Sequence, residues 1–141
     1  MTSIDFYTHV ADRLEVAAKL IVKAVAQHGC VRVLTGDASM TDALDRRLWV
    51  EPPISFLPHC RIDSRLAEQT AVWIDHALEH RGRASVLINL NSAPPPFFSR
   101  FERLAEIIGT GDAEAAAGRD RFRFYRERGY ELRTHNLSER A

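Results

Sequence analysis

The sequence predicts an α/β fold built on a mostly parallel sheet. Near the N-terminus, short apolar segments that suit strands alternate with longer segments whose apolar residues recur at helical spacing. Such alternation favours parallel strands joined by right-handed helical crossovers. Residues 84–90 are almost continuously apolar, as a central strand covered on both faces would be. No repeat, low-complexity segment or linker divides the 141 residues, so we expect a single domain.

The first elements in chain order are a strand, a helix and a second strand. Residues 4–8 alternate between apolar and polar side chains in the manner of a short strand. An apolar stripe at helical spacing runs through residues 13–28, and Gly29 is a stop signal for this predicted helix. Residues 31–35, with the sequence V-R-V-L-T, predict the second strand.

A second helix and a proline-rich loop follow. Residues 39–48 predict a helix, and Ser39 and Asp42 at its start have capping-box spacing. Residues 50–64 contain three prolines, which exclude a regular helix or a central strand. This segment is therefore predicted to be a loop.

The middle of the chain contains two more predicted strands, at residues 70–75 and 84–90. The run A-P-P-P that follows forbids a helix until about Phe97. Beyond it, four apolar residues at helical spacing predict a further helix. They are Phe98, Phe101, Leu104 and Ala105. The chain then enters a predicted edge strand at residues 107–108.

The C-terminal elements are a helix and a strand. Gly109 and Gly111 turn the chain into a helix predicted over residues 112–128, which Gly129 can close in a left-handed cap. Residues 130–134 predict a last strand. Residues 136–141 are expected to form a frayed tail.

Composition narrows the class of protein. With 45% hydrophobic and 27% charged residues, the chain resembles ordinary globular proteins. No apolar run approaches the ~20 residues of a membrane span, and residues 1–5 lack the features of a signal peptide. We therefore expect no membrane association and a cytoplasmic location. Cys30 and Cys60 lack Cys-x-x-Cys spacing and suit small buried side chains in a reducing compartment.

The predicted last helix carries a one-sided cationic surface. At about 100° per residue, four of its side chains share one face. They are Arg119, Phe122, Arg123 and Arg126. This face suits an anion that also has an apolar part. The alternative is a solvated helix surface whose other side, with Phe124 and Tyr125, packs on the core.

The charge is unevenly distributed along the chain. Residues 1–118 hold 12 basic and 15 acidic side chains, whereas residues 119–141 hold 7 and 4. The surplus of basic over acidic side chains in residues 119–141 is small for a protein that neutralises many phosphates. It disfavours binding to duplex DNA and suits a short acidic peptide as the ligand. Direct binding of single-stranded DNA through arginines and aromatic rings is a further alternative.

Signatures of catalysis are weak. The turns after the first two predicted strands lack the glycine and lysine spacing of phosphate-binding loops. Four residues could contribute to a metal or acid/base site, but no two have ligand spacing on one helix. They are Asp5, His9, Asp37 and His59. We expect no catalytic residue, metal or cofactor. A small enzyme acting on nucleotides or phosphoesters, suggested by the α/β order and the carboxylates Asp5 and Asp37, is the competing hypothesis.

Residues 48–59 place large apolar side chains, among them Trp49 and Phe56, in a proline-stiffened loop. Such side chains either fold back as a lid on the core or stay exposed as anchors for a partner. The residues alone leave both interpretations open.

Five segments spread over the chain share motifs with a known family. They are I-D-F-Y at 4–7, L-W-x-x-P-x-x-S-F-x-P-H at 48–59, V-L-I-N-L at 86–90, F-x-R-F at 98–101 and R-x-R-F-R-x-Y-R-x-x-G-Y at 119–130. On these motifs the chain resembles the chi subunit of bacterial DNA polymerase III, an accessory protein of the clamp-loader assembly. The segments at 48–59 and 119–130 are the specific ones.

The resemblance implies a single-domain, three-layer Rossmann-like fold, with helices on both faces of a mostly parallel sheet and no phosphate-binding loop. It also implies a non-catalytic replisome protein. Such a protein would bridge the clamp loader to the acidic C-terminal tail of single-stranded DNA-binding protein, so its contact with nucleic acid would be mainly indirect.

Two binding sites follow from the same resemblance. The loop would dock the psi subunit of the clamp loader or, in some bacteria, a helicase. The residues implied for that contact are Trp49, Pro52, Phe56, Pro58 and His59. The last helix would bind the terminal phenylalanine and carboxylate of the tail. The residues implied there are Arg119, Phe122, Arg123 and Arg126, with Ile108 lining the slot. Family members often carry a basic residue where this chain has Ala115, which predicts weaker tail binding or a larger share of the charge for Arg123 and Arg126.

Overall fold

A central sheet organises the structure, a computed structural model that describes residues 2–50, 59–60, 71–80 and 84–138, with the backbone alone at residues 49, 50, 59 and 60. In chain order, the elements in these ranges are β1 (Ser3–Val10), α1 (Arg13–His28), β2 (Val31–Leu34), α2 (Ala38–Val50), β3 (His59–Cys60), β4 (Val72–Asp75), β5 (Val86–Asn89), a 3₁₀ turn (Phe98–Arg100), β6 (Arg103–Gly109), α3 (Asp112–Glu127) and β7 (Leu132–Asn136).

All neighbouring strands of the described sheet run parallel, in the order β3-β4-β2-β5-β6-β1-β7. The helices α1 and α2 pack on one face, and α3 packs on the other. The predicted α/β class and its three-layer Rossmann-like arrangement are therefore confirmed. None of the helices within the described ranges is long and apolar enough to cross a bilayer.

Strand alternation divides the core between the two faces. Val31 and Val33 of β2 join fully buried Ile21 of α1 on one side. Leu34, the next residue of β2, joins Phe6 of β1 and Tyr125 of α3 on the other side. Because α3 is held by this second core, its outer surface has a fixed position relative to β1 and β6.

The bounds of α1 are those predicted, residues 13–28. Asp12 caps the N-terminus by accepting a hydrogen bond from the Glu15 N–H at 3.2 Å. Gly29 ends the helix with a φ of 88°, a left-handed conformation that glycine adopts without steric cost, and its N–H donates to the Val25 carbonyl.

The start of α2 differs from the prediction. Asp37 provides the cap, since its Oδ1 accepts from the Met40 N–H at 2.8 Å, so the predicted capping box of Ser39 and Asp42 is wrong. An aspartate is as good an N-cap as a serine, and Asp37 comes first in the chain. The helix also extends to Val50, and His59–Cys60 forms a short edge strand inside the predicted loop.

The largest difference lies between residues 97 and 109. The predicted helix is only the 3₁₀ turn, and Leu104 and Ala105 belong to β6. That strand lies between β5 and β1, so the prediction of an edge strand at Ile107 and Ile108 is also wrong. A strand buried on both faces is apolar at nearly every position, and its pattern matches helical as well as strand spacing.

At the C-terminus the predicted helix and strand are both present, with bounds shifted by one or two residues. Asn136 pairs with Thr8 in the sheet, so it does not belong to a frayed tail. Residues 139–141 lie outside the described residues.

Candidate peptide-binding site

An open recess of about 320 Å³ lies between α3 and the strands β1, β6 and β7. Its polar rim includes the side chains of Thr8, His9, Thr110 and Thr134, together with Arg119 of α3. The remaining lining is apolar. The recess thus combines an apolar interior with hydrogen-bonding groups at its edge.

The apolar part of the recess is formed by Phe6, Ile108 and Phe122. Phe6 and Phe122 meet edge to face, with ring centroids 5.2 Å apart. Both Phe6 and Ile108 are buried in the core on the α3 side, whereas Phe122 is half-buried at its margin. The surface that a ligand would touch is therefore anchored in the core.

Gly118 allows α3 to come close to β6. A Cβ atom at this position would lie 2.8 Å from Cδ1 and 2.9 Å from Cγ2 of Ile108. Ala115, one turn earlier, also lines the recess and contributes only a methyl group to its wall. These two small residues leave the recess open. The sequence analysis did not predict this role for either residue, although a glycine inside a predicted helix can indicate close packing against a neighbouring element.

Arg119 is exposed on the outer turn of α3 beside Phe122. Within the described ranges, its guanidinium has no hydrogen bond or ion pair with another residue. A planar guanidinium without an internal partner can bind a carboxylate with two parallel hydrogen bonds. The structure therefore brings together Arg119, Phe122 and Ile108, as the sequence predicted.

Arg123 and Arg126 lie outside this recess. They line a neighbouring hollow along the outer surface of α3, shared with Arg119, Phe122 and Glu127. Arg123 is 4.0 Å from Asp120, a pair so exposed that it contributes little to stability. These arginines can attract acidic residues of a ligand whose end occupies the recess.

The opposite side of α3 packs against the core. Tyr125 is fully buried, and Phe98 contacts the rings of both Tyr125 and Phe124. The guanidinium of Arg128 lies 3.6 Å from the centre of the Phe124 ring. The helix therefore has both the core-packed side and the exposed cationic side that the sequence suggested as alternatives.

A buried polar network beneath α3 was missed from the sequence. Nε of Arg121 donates to Glu106 at 2.9 Å, and the Tyr125 hydroxyl donates to the other carboxylate oxygen at 2.5 Å. Asn89 donates to the same carboxylate, and Arg121 also bonds the Ser92 carbonyl at 2.9 Å. Arg121 is thus neutralised inside the protein and adds nothing to the cationic surface. A glutamate in the middle of an apolar strand was the signal for such a partner.

This network constrains the ionisation of its members. Burial raises the pKa of Glu106, and the donors Arg121, Tyr125 and Asn89 offset part of that rise. Burial and the adjacent Glu106 raise the pKa of Tyr125 far enough that its phenol remains a proton donor. The network links α3 to Glu106 of β6 and, through that carboxylate, to Asn89 of β5.

Comparison with known proteins identifies the family. The sequence model described as "DNA polymerase III chi subunit, HolC" matches residues 1–133. A protein named DNA polymerase III subunit chi from Pseudomonas aeruginosa is 36% identical over 142 residues, which covers 97% of this chain and 98% of the relative. The chain belongs to the DNA polymerase III chi-subunit family. A chi subunit from Haemophilus influenzae is 29% identical over 109 residues, covering 75% of this chain and 76% of the relative.

The second family motif, residues 48–59, is described only in part. Trp49 and His59 have a described backbone, in α2 and β3, while Pro52, Phe56 and Pro58 lie outside the described residues. The backbone places His59 at the β3 edge of the sheet, and α2, whose last residues begin the motif, packs against α1 and β4. The recess lies near the other edge, at β7.

The four residues considered for a metal or acid/base site are not brought together. Asp5 faces away from the recess and contacts His135 at 3.0 Å and Arg133 at 3.2 Å, whereas Asp37 caps α2. His9 lies in the recess, and the side chain of His59 is outside the described part of the chain. In the ranges that are described, no group of three or more such side chains could hold a metal ion.

Proposed function

We propose that this chi-family protein is a non-catalytic accessory subunit of DNA polymerase III that links the clamp loader to single-stranded DNA-binding protein. It does so by binding the acidic C-terminal tail of that protein in the recess between α3 and the sheet. Contact with DNA is indirect, and the protein works in the cytoplasm as part of the replisome.

The observation that carries this proposal is the position of Arg119 beside the apolar recess. A chain that ends in phenylalanine presents an aromatic ring and a carboxylate a few ångströms apart. The interior formed by Ile108, Phe6 and Phe122 suits the ring, and the Arg119 guanidinium suits the carboxylate. The volume of about 320 Å³ is near the lower end of ligand pockets, which run from about 300 to 1,000 Å³, and fits one side chain better than a cofactor.

Acidic residues upstream of that phenylalanine would lie along α3. Arg123 and Arg126 line the hollow that adjoins the recess and supply positive charge there. These contacts are exposed, so they would steer and strengthen binding modestly and would weaken as salt is added.

The second contact of the proposed linker is the segment of residues 48–59. It would dock the psi subunit or a helicase through Trp49, Pro52, Phe56, Pro58 and His59, as family membership suggests. Since His59 at the end of this segment belongs to β3, at the sheet edge away from the recess, both partners could bind at once.

The test is a calorimetric titration of the full chain with a synthetic acidic peptide ending in phenylalanine. Arg119→Ala should weaken binding by about 1.5–3 kcal/mol, the scale of a hydrogen bond to a charged group. Arg128→Ala is the matched control, because it removes the same charge from the C-cap of the same helix, on the side facing Phe124.

Amidating the C-terminus of the peptide should weaken its binding to the native protein. The loss should be about as large as the loss that Arg119→Ala causes for the peptide with a free carboxylate. The proposal is wrong if Arg119→Ala binds the free peptide like the native protein, or if Arg128→Ala has the larger effect.

A further inference from the structure

We propose that His9 is a second cationic contact for a peptide carboxylate in the recess and makes tail binding stronger as the pH falls. This inference rests on the proposed function, because it assigns a further binding residue to the same site.

The backbone of β1 is irregular where His9 lies. Its pairing with β6 is regular from Ser3 to Tyr7, then shifts before Val10 pairs with Gly109. Strict alternation from Phe6 would place Thr8 on the α3 side and His9 on the α1 side. Instead both residues line the recess, and Val10 is buried in the core on the α1 side. An irregularity of this kind redirects a side chain to the other face of a sheet.

The conformation of His9 supports a functional reason for that redirection. Its φ is 58°, and it is the single non-glycine residue with a positive φ in the described ranges. Residues held in such a conformation cost free energy and are concentrated at binding sites. The side chain is exposed, so core packing does not account for the strain.

The imidazole has one nitrogen available to a ligand. Nδ1 lies 3.0 Å from Oγ1 of Thr8, and Nε2 has no partner in the part of the chain that the structure describes. A protonated ring would donate Nε2–H to a carboxylate while Nδ1–H donates to the threonine. Histidine is the side chain that ordinarily changes charge between pH 5 and 8.

Few other charges face His9. From α3 the lining contributes Arg119, and from β6, the following turn and β7 it contributes uncharged residues. The carboxylate of Glu114 from α3 lies beside Gly109 and pairs with Arg13 at 3.5 Å. Asp5 and His135, on β1 and β7, contact each other on the opposite face of the sheet. A carboxylate in the recess would thus meet the Arg119 guanidinium on one wall and the His9 imidazole on another.

The experiment measures the affinity of the free-carboxylate peptide at pH 6 and pH 8 at constant ionic strength. The native protein should bind about three- to fivefold more tightly at pH 6. His9→Asn should remove most of this difference, because asparagine tolerates a positive φ but carries no charge. His135→Gln is the control, since it removes the neighbouring histidine that faces away, and it should keep the difference.

The outcomes separate this inference from the proposed function. If the native protein binds the peptide but His9→Asn retains the full pH difference, the role of His9 is wrong and the tail site stands. The role of His9 is equally wrong if His135→Gln abolishes the difference. If the native protein binds no peptide at either pH, both proposals fail.

Discussion

Arg119 and Arg121 are two residues apart on α3 and have opposite environments. Two steps along a helix turn a side chain by about 200°, so one arginine faces solvent while the other faces the sheet. There Arg121 pairs with Glu106, a buried residue of β6. Only 4% of the Arg121 side chain remains accessible to solvent. Removing either partner of such a pair leaves a buried charge without compensation.

Replacing Arg121 by methionine should therefore destabilise the protein in a pH-dependent way. Arg121→Met keeps Glu106 buried but removes its cation, so the pKa of Glu106 in the folded protein rises further above its ordinary value of 4.5. Ionisation is then harder in the folded than in the unfolded chain, and stability is lost as the pH rises above the ordinary value and through the folded pKa. We expect a loss of about 3–5 kcal/mol at pH 8 and a smaller loss at pH 5 in urea unfolding.

Arg123→Met is the matched control for this experiment, since Arg123 is exposed on the same helix. It should change the free energy of unfolding by less than about 0.5 kcal/mol at either pH. Equal losses for the two variants, or a greater loss for Arg121→Met at pH 5 than at pH 8, would show that the buried pair is not what stabilises α3.

The sequence distinguished these arginines only in part. Helical spacing correctly grouped Arg119 with Phe122, because that grouping depends on one helix alone. The burial of Arg121 depends on Glu106, 15 residues earlier in a strand whose position was predicted wrongly. A count of charges cannot show which of them is neutralised inside the fold.

At the level of elements, the contact between α3 and β6 sets the shape of the recess. Gly118 is buried at this contact, and its missing side chain leaves space for Ile108. In an exposed helix the change from glycine to alanine stabilises by roughly 0.5–1 kcal/mol. At Gly118 the added methyl group would overlap Ile108, so the change to alanine should destabilise the protein instead of stabilising it.

Gly118→Ala should lower the free energy of unfolding by about 1–2 kcal/mol, in the range seen for overpacked cores. It should also weaken peptide binding, because Ile108 must move into the recess or α3 must move outward. Ala116→Gly, at an exposed position of the same helix, should cost about 1 kcal/mol of stability and leave peptide affinity unchanged. A more stable Gly118→Ala variant with native affinity would contradict this role for Gly118.

The elements that the sequence predicted well are those with a local signal at each end. α1 has its own stop signal in Gly29, and its bounds were predicted to the residue. β6 has a stop signal in Gly109 but no start signal, and its apolar residues face a helix-covered core on each side of the sheet. Only its partners β5 and β1 make it a strand, and these are distant in the chain.

For the whole molecule, the order of the strands places His59 and the recess near opposite edges of the sheet. His59, the last residue of the motif at 48–59, belongs to β3, while the recess lies between β1, β6, β7 and α3. The α/β class was predictable from the alternation of elements. The sequence could not show whether the apolar side chains of that motif cover the core or face a partner, because both arrangements require the same residues.

Phe56→Ala should distinguish a side chain that covers the core from one that contacts a partner. As an interface anchor, Phe56 would be dispensable for folding, so the variant should keep its melting temperature within about 2 °C and still bind the tail peptide. It should fail to retain clamp-loader subunits or a helicase in a pull-down from cell extract, whereas Arg119→Ala should retain them. If Phe56→Ala instead unfolds the isolated protein, the ring belongs to a lid on the core.

The position of β1 between β6 and β7 has a consequence for how this protein is made. The first strand to leave the ribosome acquires its neighbours only when residues 103–109 and 132–136 have been synthesised. Thr134 of the last strand is part of the recess wall. Until β7 has been synthesised, the chain therefore exposes Phe6 without the pocket around it, and capture of a partner must wait for that strand.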